Sequence, residues 1–455
     1  MASAPPLLLT YYADDFTGST DALECLVRAG IRTVLFLNPP SPADLARYPG
    51  LGAIGVAGLT RSLAPDAMEV ALRPAFSALR ALGSRHVHYK ICSTFDSSPT
   101  VGSIGRAIDL GAEIFPGPIV PLLVATPPLG RFCVFGQLFA RYGNGSIGTI
   151  HRLDRHPAIS HHPVTPMTEA DVRLHLSHQT KKRVGLLNVL DLERPAGETT
   201  AAVGALISSG HDVLLIDGLN ANHLLRAGEQ IDRLADHAPL FSVGSSGIES
   251  ALTAAWTAQA ASSAVSGSRS PVSGSRSPAS GSALTSPPPA TRGLASPLLA
   301  VSGSCSLVTV EQIEWALAHG FTGIAWEPKA DQSSLVAAAV AALRTGRNVV
   351  VYTHLGGSVT ALPSHELGTH LGRLTRAILS SVRLTRLAVA GGDTSSYVAR
   401  ALGIESLEWV APLLPGAPWC RAHATDSPVH GLEVIFKGGQ VGPPDSFGII
   451  ARGHL

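Results

Sequence analysis

Residues Leu7 to Asp21 read LLLTYYADDFTGSTD. The apolar run Leu7–Tyr12 stops at two adjacent carboxylates, Asp14 and Asp15, and a turn of hydroxyls and glycine leads into a helical pattern over Ser19–Ala29. A strand that ends in a polar turn and feeds a helix is the repeating half of a βαβ unit, and open α/β sheets take their ligands at such strand ends. Adjacent carboxylates there point in different directions, so one can face a ligand while the other caps the helix. A carboxylate beside a hydroxyl can also act as the base that activates it. The plainer reading is an N-cap turn and nothing more. Spacing does not choose between these readings, nor between the two aspartates.

The same alternation continues along the chain. Further strands are expected at Thr33–Leu37, Ile54–Ala57, Val87–Ile91, Ile119–Ala125, Val184–Leu190 and Val213–Asp217, and then near Leu298–Ser302, Val349–Tyr352, Leu387–Ala390 and Val434–Phe436. Most are continuous apolar runs, as strands covered by helices on both faces should be. Helical patterns separate them, among them Ala67–Leu82, Glu169–His178, Thr199–Ser209, Thr309–His319, Ser333–Arg344, Leu367–Ser381 and Thr394–Leu402. The fold class expected is α/β: two doubly wound domains with mostly parallel sheets and an active site in the cleft between them. Between Ala258 and Pro297 the sequence is mostly Ser, Gly, Pro and Ala, and Val265–Pro271 is repeated unchanged at Val272–Pro278. Such a stretch cannot bury enough apolar surface to offset its ordering entropy. It divides the chain into residues 1–257, a linker or insertion over 258–297, and residues 298–455.

The length of 455 residues suits two or three domains. The 34 basic and 33 acidic residues leave a net charge of +1, which gives no electrostatic case for a nucleic-acid or anionic-membrane partner. Cys25, Cys92, Cys133, Cys305 and Cys420 are odd in number and far apart, so they read as free thiols rather than as disulfides or a zinc site. No apolar run reaches the roughly 18 residues of a membrane span, and no basic flank precedes Pro5-Pro6 as in a secretory leader. A cytoplasmic protein is expected.

Some motifs fall away on context. GxGxxG occurs at Gly50–Gly55 and Gly143–Gly148, but the first precedes a strand and the second leads into prolines, so neither opens a helix after a strand. No Lys is followed by Ser or Thr, which excludes a Walker A loop, and no GxSxG occurs. Other motifs converge on strand ends. Lys90, one of only five lysines, closes the run Val87–Ile91 and is followed by Cys92, Ser93, Thr94, Asp96, Ser97 and Ser98. A strand-end lysine followed by hydroxyls can grip a carboxylate and neighbouring hydroxyl groups; the bland alternative is a solvated loop. Arg61 follows the strand between those two. Asp14 and Asp15, Arg61, and Lys90 with Ser93 and Thr94 therefore suit a small hydroxylated anion, with Arg61 and Lys90 on its carboxylate. The His- and Pro-rich segment His156–Met167 reads as a rigid loop near the ligand, since no metal-ligand spacing is completed. In the second half, Ser302-Gly303-Ser304, Gly391-Gly392-Asp393-Thr394 and Lys437-Gly438-Gly439 each follow a strand. Glycine turns at helix N-termini offer backbone N–H groups to phosphate, and a side chain at Gly392 should obstruct that approach and disfavour a positive φ there.

Together these motifs resemble the four-carbon acid sugar kinase family, formerly a domain of unknown function. ADDFTGSTD at Ala13–Asp21 is similar to the family's N-terminal signature, and GGDTSSYVARALGI at Gly391–Ile404 to the start of its nucleotide-domain helix. KGGQVGPPDSFG at Lys437–Gly448 corresponds to a segment that more often reads KSGNFG, a departure at Gly438–Val441. CSTFDSSPT at Cys92–Thr100 and HPVTPM at His162–Met167 resemble the 3-oxo-tetronate kinase branch, and kinases of 3-oxo-isoapionate fit equally. The resemblance implies an ATP-dependent kinase that phosphorylates a hydroxyl of a small four- or five-carbon acid sugar, with Mg²⁺ accompanying ATP. It implies acid binding by Asp14, Asp15, Arg61, Lys90, Cys92, Ser93 and Thr94, with the Asp14/Asp15 pair holding the base. It implies ATP contacts from Ser302, Ser304, Gly391, Gly392, Asp393, Thr394, Gly438 and Gly439, and it is compatible with a homodimer. No Mg²⁺ ligand is named. The competing classes are a non-catalytic sugar-acid sensor and an NAD-dependent dehydrogenase, the latter disfavoured because neither GxGxxG is placed for a dinucleotide.

Overall fold

The structure, a computed structural model, describes residues 7–142, 148–162, 164–266, 297–328, 330–355 and 362–453. The N-terminal half contributes β1 (Leu9–Ala13), β2 (Thr33–Phe36), β3 (Ala53–Ala57), β4 (His86–Lys90), β5 (Val120–Leu123), β6 (Arg131–Val134), β7 (Gln137–Tyr142), β8 (Thr149–Arg152), β9 (Val184–Leu187), β10 (Val213–Ile216) and β11 (Leu240–Gly244). The C-terminal half contributes β12 (Leu299–Ser302), β13 (Thr322–Ala325), β14 (Val349–Tyr352), β15 (Arg386–Ala390), β16 (Ser406–Leu414), β17 (Ala417–His423) and β18 (Glu433–Lys437).

The α/β class stands, with helices between nearly all the parallel strands. The two sheets are joined, however. Fifteen strands form one sheet in the order β13-β14-β12-β15-β18-β17-β16-β2-β3-β1-β4-β11-β5-β10-β9. From β2 to β9 every pairing is parallel, as it is from β13 to β18. The seam is antiparallel: β16 pairs with β2 through Leu407 and Leu35, and β17 pairs with both β16 and β18. The long hairpin of β16 and β17 escapes a sequence reading because Pro412, Pro415 and Pro418 interrupt it, and proline demotes a strand pattern. Register shifts between Trp409 and Ala411 and between Ala411 and Leu414 absorb the irregularity. By this pairing the parallel strands of the two halves run in opposite directions, so twist and bulges must bend the sheet for their C-terminal ends to meet.

The helix Phe16–Arg28 lies in that bend. It buries Phe16, Ala22, Leu23 and Leu26, and the Phe16 ring meets Phe436 of β18 with centroids 4.6 Å apart. Fully burying one such side chain is worth about 1.5–3 kcal/mol, so this helix is a main apolar bond between the halves. Arg400 adds polar ties, donating to the Ala57 carbonyl at 2.8 Å and to Asn38 at 3.3 Å. Beneath the helix, β1 is buried on both faces, and the Tyr11 ring occupies the space a side chain at Gly55 of β3 would need.

A second sheet, β6-β7-β8, forms an antiparallel flap over the N-terminal half. Asp217, at the end of β10, accepts the Phe135 and Gly136 N–H groups of the flap's first turn at 2.5 and 3.0 Å. The expected linker needs a correction at its start. The helix Gly247–Ser266 continues through residues 258–266, whose Ala-rich sequence keeps helix propensity; residues 267–296 lie outside the described residues. Of the two GxGxxG matches, Gly50–Gly55 runs into β3 as its context indicated, and residues 143–147 of the other lie outside the described residues.

Candidate functional site

β1 delivers Asp14 and Asp15 to the C-terminal edge of the sheet, where neighbouring strand ends hold them. The Asp14 N–H donates to the Lys90 carbonyl at 2.8 Å, and the Arg61 N–H donates to the Asp14 carbonyl at 3.1 Å. The two side chains then differ. Asp15 is the N-cap of helix Phe16–Arg28: its Oδ1 accepts the Gly18 N–H at 2.7 Å, and its Oδ2 accepts the Thr17 hydroxyl at 2.8 Å. Asp14 caps nothing. Arg61 grips it in a fork, Nε to Oδ2 at 3.2 Å and Nη2 to Oδ1 at 2.7 Å, and donates Nη1 to Asp15 Oδ2 at 2.7 Å. Burial raises the Asp14 carboxyl above the ordinary carboxylate range, with Arg61 opposing and Asp15 adding to the rise. Arg61 is thereby committed on three nitrogens. Burial works against its charge, and the Asp14 and Asp15 carboxylates more than offset it.

Lys90 is equally occupied. Its Nζ lies 3.4 Å from Asp21 and donates to the Ile91 carbonyl at 3.2 Å, and the side chain is buried. Burial opposes its charge, while Asp21, Glu249, Asp15 and Asp14 together raise its pKa. The following turn holds Cys92, Ser93 and Thr94: the Cys92 Sγ and Thr94 Oγ1 are 2.8 Å apart, and the Thr94 hydroxyl donates to Asp96 at 2.8 Å. Burial, with Asp96, pushes the Cys92 thiol up to about 11, so it is a neutral thiol at physiological pH and no nucleophile.

The strand ends of the C-terminal half meet this cluster. Gly391 adopts φ +114°, a conformation that favours glycine, and its N–H donates to the Lys437 carbonyl at 2.9 Å. The positive φ thus belongs to Gly391 and not, as the sequence suggested, to Gly392, which opens the helix Gly392–Ala401. Gly392 is close to the other half instead: a Cβ there would sit 3.3 Å from Asp15 Oδ2, near enough that the carboxylate would have to give slightly. A Cβ on Gly438 would come 4.0 Å from Thr17 Oγ1, one on Gly303 would run into Thr394, and one on Gly439 into Ser304. Ser302, the last residue of β12, and Ser304, in the turn after it, are buried, and Ser304 Oγ accepts the Ser306 N–H at 3.2 Å. Asp393 faces the same space; burial raises its carboxyl, with Arg61 opposing and Asp15 adding.

Every strand-end residue singled out from sequence therefore lies around one junction, where the N-termini of two helices, Phe16–Arg28 and Gly392–Ala401, converge. Such termini concentrate unpaired backbone N–H groups and the positive ends of helix dipoles, a setting for phosphate. His162 is an electrostatic neighbour of Asp393, which brings the His- and Pro-rich segment to the junction; Pro163 lies outside the described residues. Sequence reading missed the residues that hold the turns. The Thr309 hydroxyl donates to the Gly439 carbonyl at 2.6 Å, and the Gln312 side-chain amide reaches the carbonyls of Val441, Gly442 and Pro443 at 3.0, 2.9 and 3.1 Å. Both sit on a helix whose pattern announces only an apolar face.

Residues 9–252 match the family model of a sugar-binding N-terminal domain and residues 299–447 that of a nucleotide-binding C-terminal domain. The chain is 40% identical to a 3-oxo-isoapionate kinase of Paraburkholderia graminis, over 99% of this chain and 95% of that protein. It is 32% identical to a 3-oxo-tetronate kinase of Burkholderia multivorans, over 98% and 97% of the two chains. Among solved structures, a Salmonella typhimurium LT2 protein shares the fold with a TM-score of 0.74 at 24% identity, covering 99% of this chain and 100% of that one. A Haemophilus influenzae protein shares it with a TM-score of 0.65 at 22% identity, over 98% and 99%. Fold, family models and relatives thus define a phosphotransferase that acts on acid sugars. The chain belongs to the acid sugar kinase family, and its reaction consumes ATP. Among the described residues no helix is long and apolar enough to cross a membrane.

Proposed function

We propose that this enzyme transfers the γ-phosphoryl group of ATP to a hydroxyl of a 3-oxo sugar acid, with 3-oxo-isoapionate the preferred acceptor and 3-oxo-tetronate the next to test. The observation that carries the reading is the approach of Gly392 to Asp15. It lets a phosphate held at one helix N-terminus face an acceptor held at the other. Residues 1–257 are assigned to the acid and residues 298–455 to the nucleotide.

Asp14 is the base in this reading. Asp15 is spent on capping, whereas Asp14 can take a hydroxyl proton and share the developing charge with Arg61. Phosphoryl transfer asks the protein mainly for positioning and charge neutralisation. The N–H groups around Gly391–Thr394, the Gly438–Gly439 turn and the Ser302–Ser304 turn supply the nucleotide side. Cys92, Ser93 and Thr94 line the acceptor side as neutral hydrogen-bonding groups. Among the described residues no cluster of three or more His, Cys, Asp or Glu forms a metal cage. Mg²⁺ is usually held by one or two carboxylates and by phosphate oxygens. Asp393 would hold it, and the ion would neutralise phosphate charge.

The test is ADP release on a panel of four- and five-carbon sugar acids and their 3-oxo forms. Turnover is expected with 3-oxo-isoapionate and 3-oxo-tetronate and not with the 3-hydroxy acids. Absence of turnover with either 3-oxo acid, in a folded protein that binds ATP, would overturn the substrate assignment.

A further inference from the structure

With Arg61 and Lys90 both committed to carboxylates, the acceptor's own carboxylate needs another cation. The flap carries one. Arg131 opens β6, directly after the turn Pro127–Leu129 that follows β5, and it is only partly exposed. Among the described residues its hydrogen bonds go only to main-chain carbonyls, through Nη1 to Leu129, Gly130 and Arg141 at 3.1, 3.4 and 3.3 Å. Its Nε is buried without a partner. Burial works against its charge, and Cys92 and Asp96 of the substrate-side turn are its electrostatic neighbours. Cys92 is also an electrostatic neighbour of Arg61, so this turn lies within reach of both guanidinium groups.

His156 stands beside Arg131. Its Nδ1 accepts the N–H groups of Ala158 and Ile159, both at 3.2 Å, so a neutral ring carries its proton on Nε2. That Nε2 is buried and turned to the Arg141 carbonyl, which Arg131 also uses. Burial and then Arg131 push the His156 pKa down to about 4, which keeps the ring a neutral donor at physiological pH. A desolvated guanidinium with no carboxylate in hydrogen-bond contact is costly. The unpartnered Nε–H of that cation can donate to a carboxylate oxygen.

We infer that Arg131, with His156 beside it, is the specificity determinant that takes the acceptor's carboxylate, so that the flap reads acid against neutral sugar. This rests on the proposed acid substrate. The experiment compares kinetics on the 3-oxo acid and on its uncharged primary amide for the wild type, Arg131→Gln and Arg131→Lys. Loss of a charge-assisted hydrogen bond predicts a rise of roughly 10- to 100-fold in KM for the acid in Arg131→Gln. The KM for ATP and the kinetics on the amide should stay within about threefold, and Arg131→Lys should recover part of the loss. That selective loss is what a purely structural role could not produce. An unchanged acid-to-amide ratio in Arg131→Gln overturns the inference. If that variant does not fold, an acid KM in Arg131→Lys equal to the wild type's overturns it. A wild type that phosphorylates no sugar acid instead refutes the proposed function, which keeps the two failures apart.

Discussion

Replacing Lys437 with methionine should make the protein more stable at neutral pH, by an amount that shrinks as the pH rises. Lys437 closes β18 and is fully buried. Its Nζ donates to the Gly438 carbonyl at 3.2 Å and lies 5.9 Å from the centre of the Phe447 ring. Burial lowers its pKa from 10.5 to about 7. Between about pH 7 and 10.5 the unfolded chain therefore holds a proton that the folded protein has released, so stability rises with pH across that window. Below about 7 both states carry the proton, and the cost of burying the charge is felt in full. The window of about 3.5 pH units, at about 1.4 kcal/mol each, sets a ceiling of about 5 kcal/mol. Methionine keeps the length of the stem and removes the titration, at the loss of one hydrogen bond worth about 1 kcal/mol. Urea denaturation at intervals from pH 6.5 to 9.5 should show the variant's advantage falling by up to about 1.4 kcal/mol per pH unit above neutrality. An advantage that stays constant over that range would mean that folded Lys437 keeps its proton, and would refute the reasoning.

Four further outcomes are expected. Asp14→Asn should lower kcat by roughly 100-fold or more with little change in KM for ATP, while Asp15→Asn, which still caps, should cost about 1 kcal/mol or less from the cap, read by thermal melting. Arg61→Ala strands two buried carboxylates and should cost about 3 kcal/mol of stability; it also removes the cation that lowers the Asp14 pKa, so in any residual activity the acidic limb of the pH–rate profile should move to higher pH. Gly392→Val pushes atoms toward Asp15 and should raise KM for ATP by more than tenfold in a folded protein, whereas a normal KM for ATP would take nucleotide away from this turn. Replacing residues 267–296 with a short Gly/Ser tether should leave kcat within about twofold in steady-state assays, because closure entropy changes slowly with loop length.

Much of this protein is written locally. Leu9–Ala13 runs into Asp14 and Asp15 and reads as a buried strand leading to a capped helix, because hydrophobic runs and capping chemistry act over a few residues. The same holds for Val349–Tyr352, and for the strand ends that place Arg61, Lys90, Gly391 and Gly438. What the sequence alone determined was the α/β class, the edge on which chemistry gathers and, by resemblance, the kinase family. The tertiary structure decided the rest, because it depends on residues far apart in the chain. Leu407 pairs with Leu35 to fuse two expected sheets into one, across a hairpin whose prolines disguise it. Arg61 pairs with both Asp14 and Asp15, and Gly18 identifies Asp15 as the cap. Arg131 is one arginine among many in the sequence; its buried, unpartnered Nε and its place near the turn of Cys92 and Asp96 appear only in the fold. Lys437 reads as a strand-end lysine until the fold removes water from it, since desolvation is a property of the surroundings that the packed halves create and no local pattern encodes.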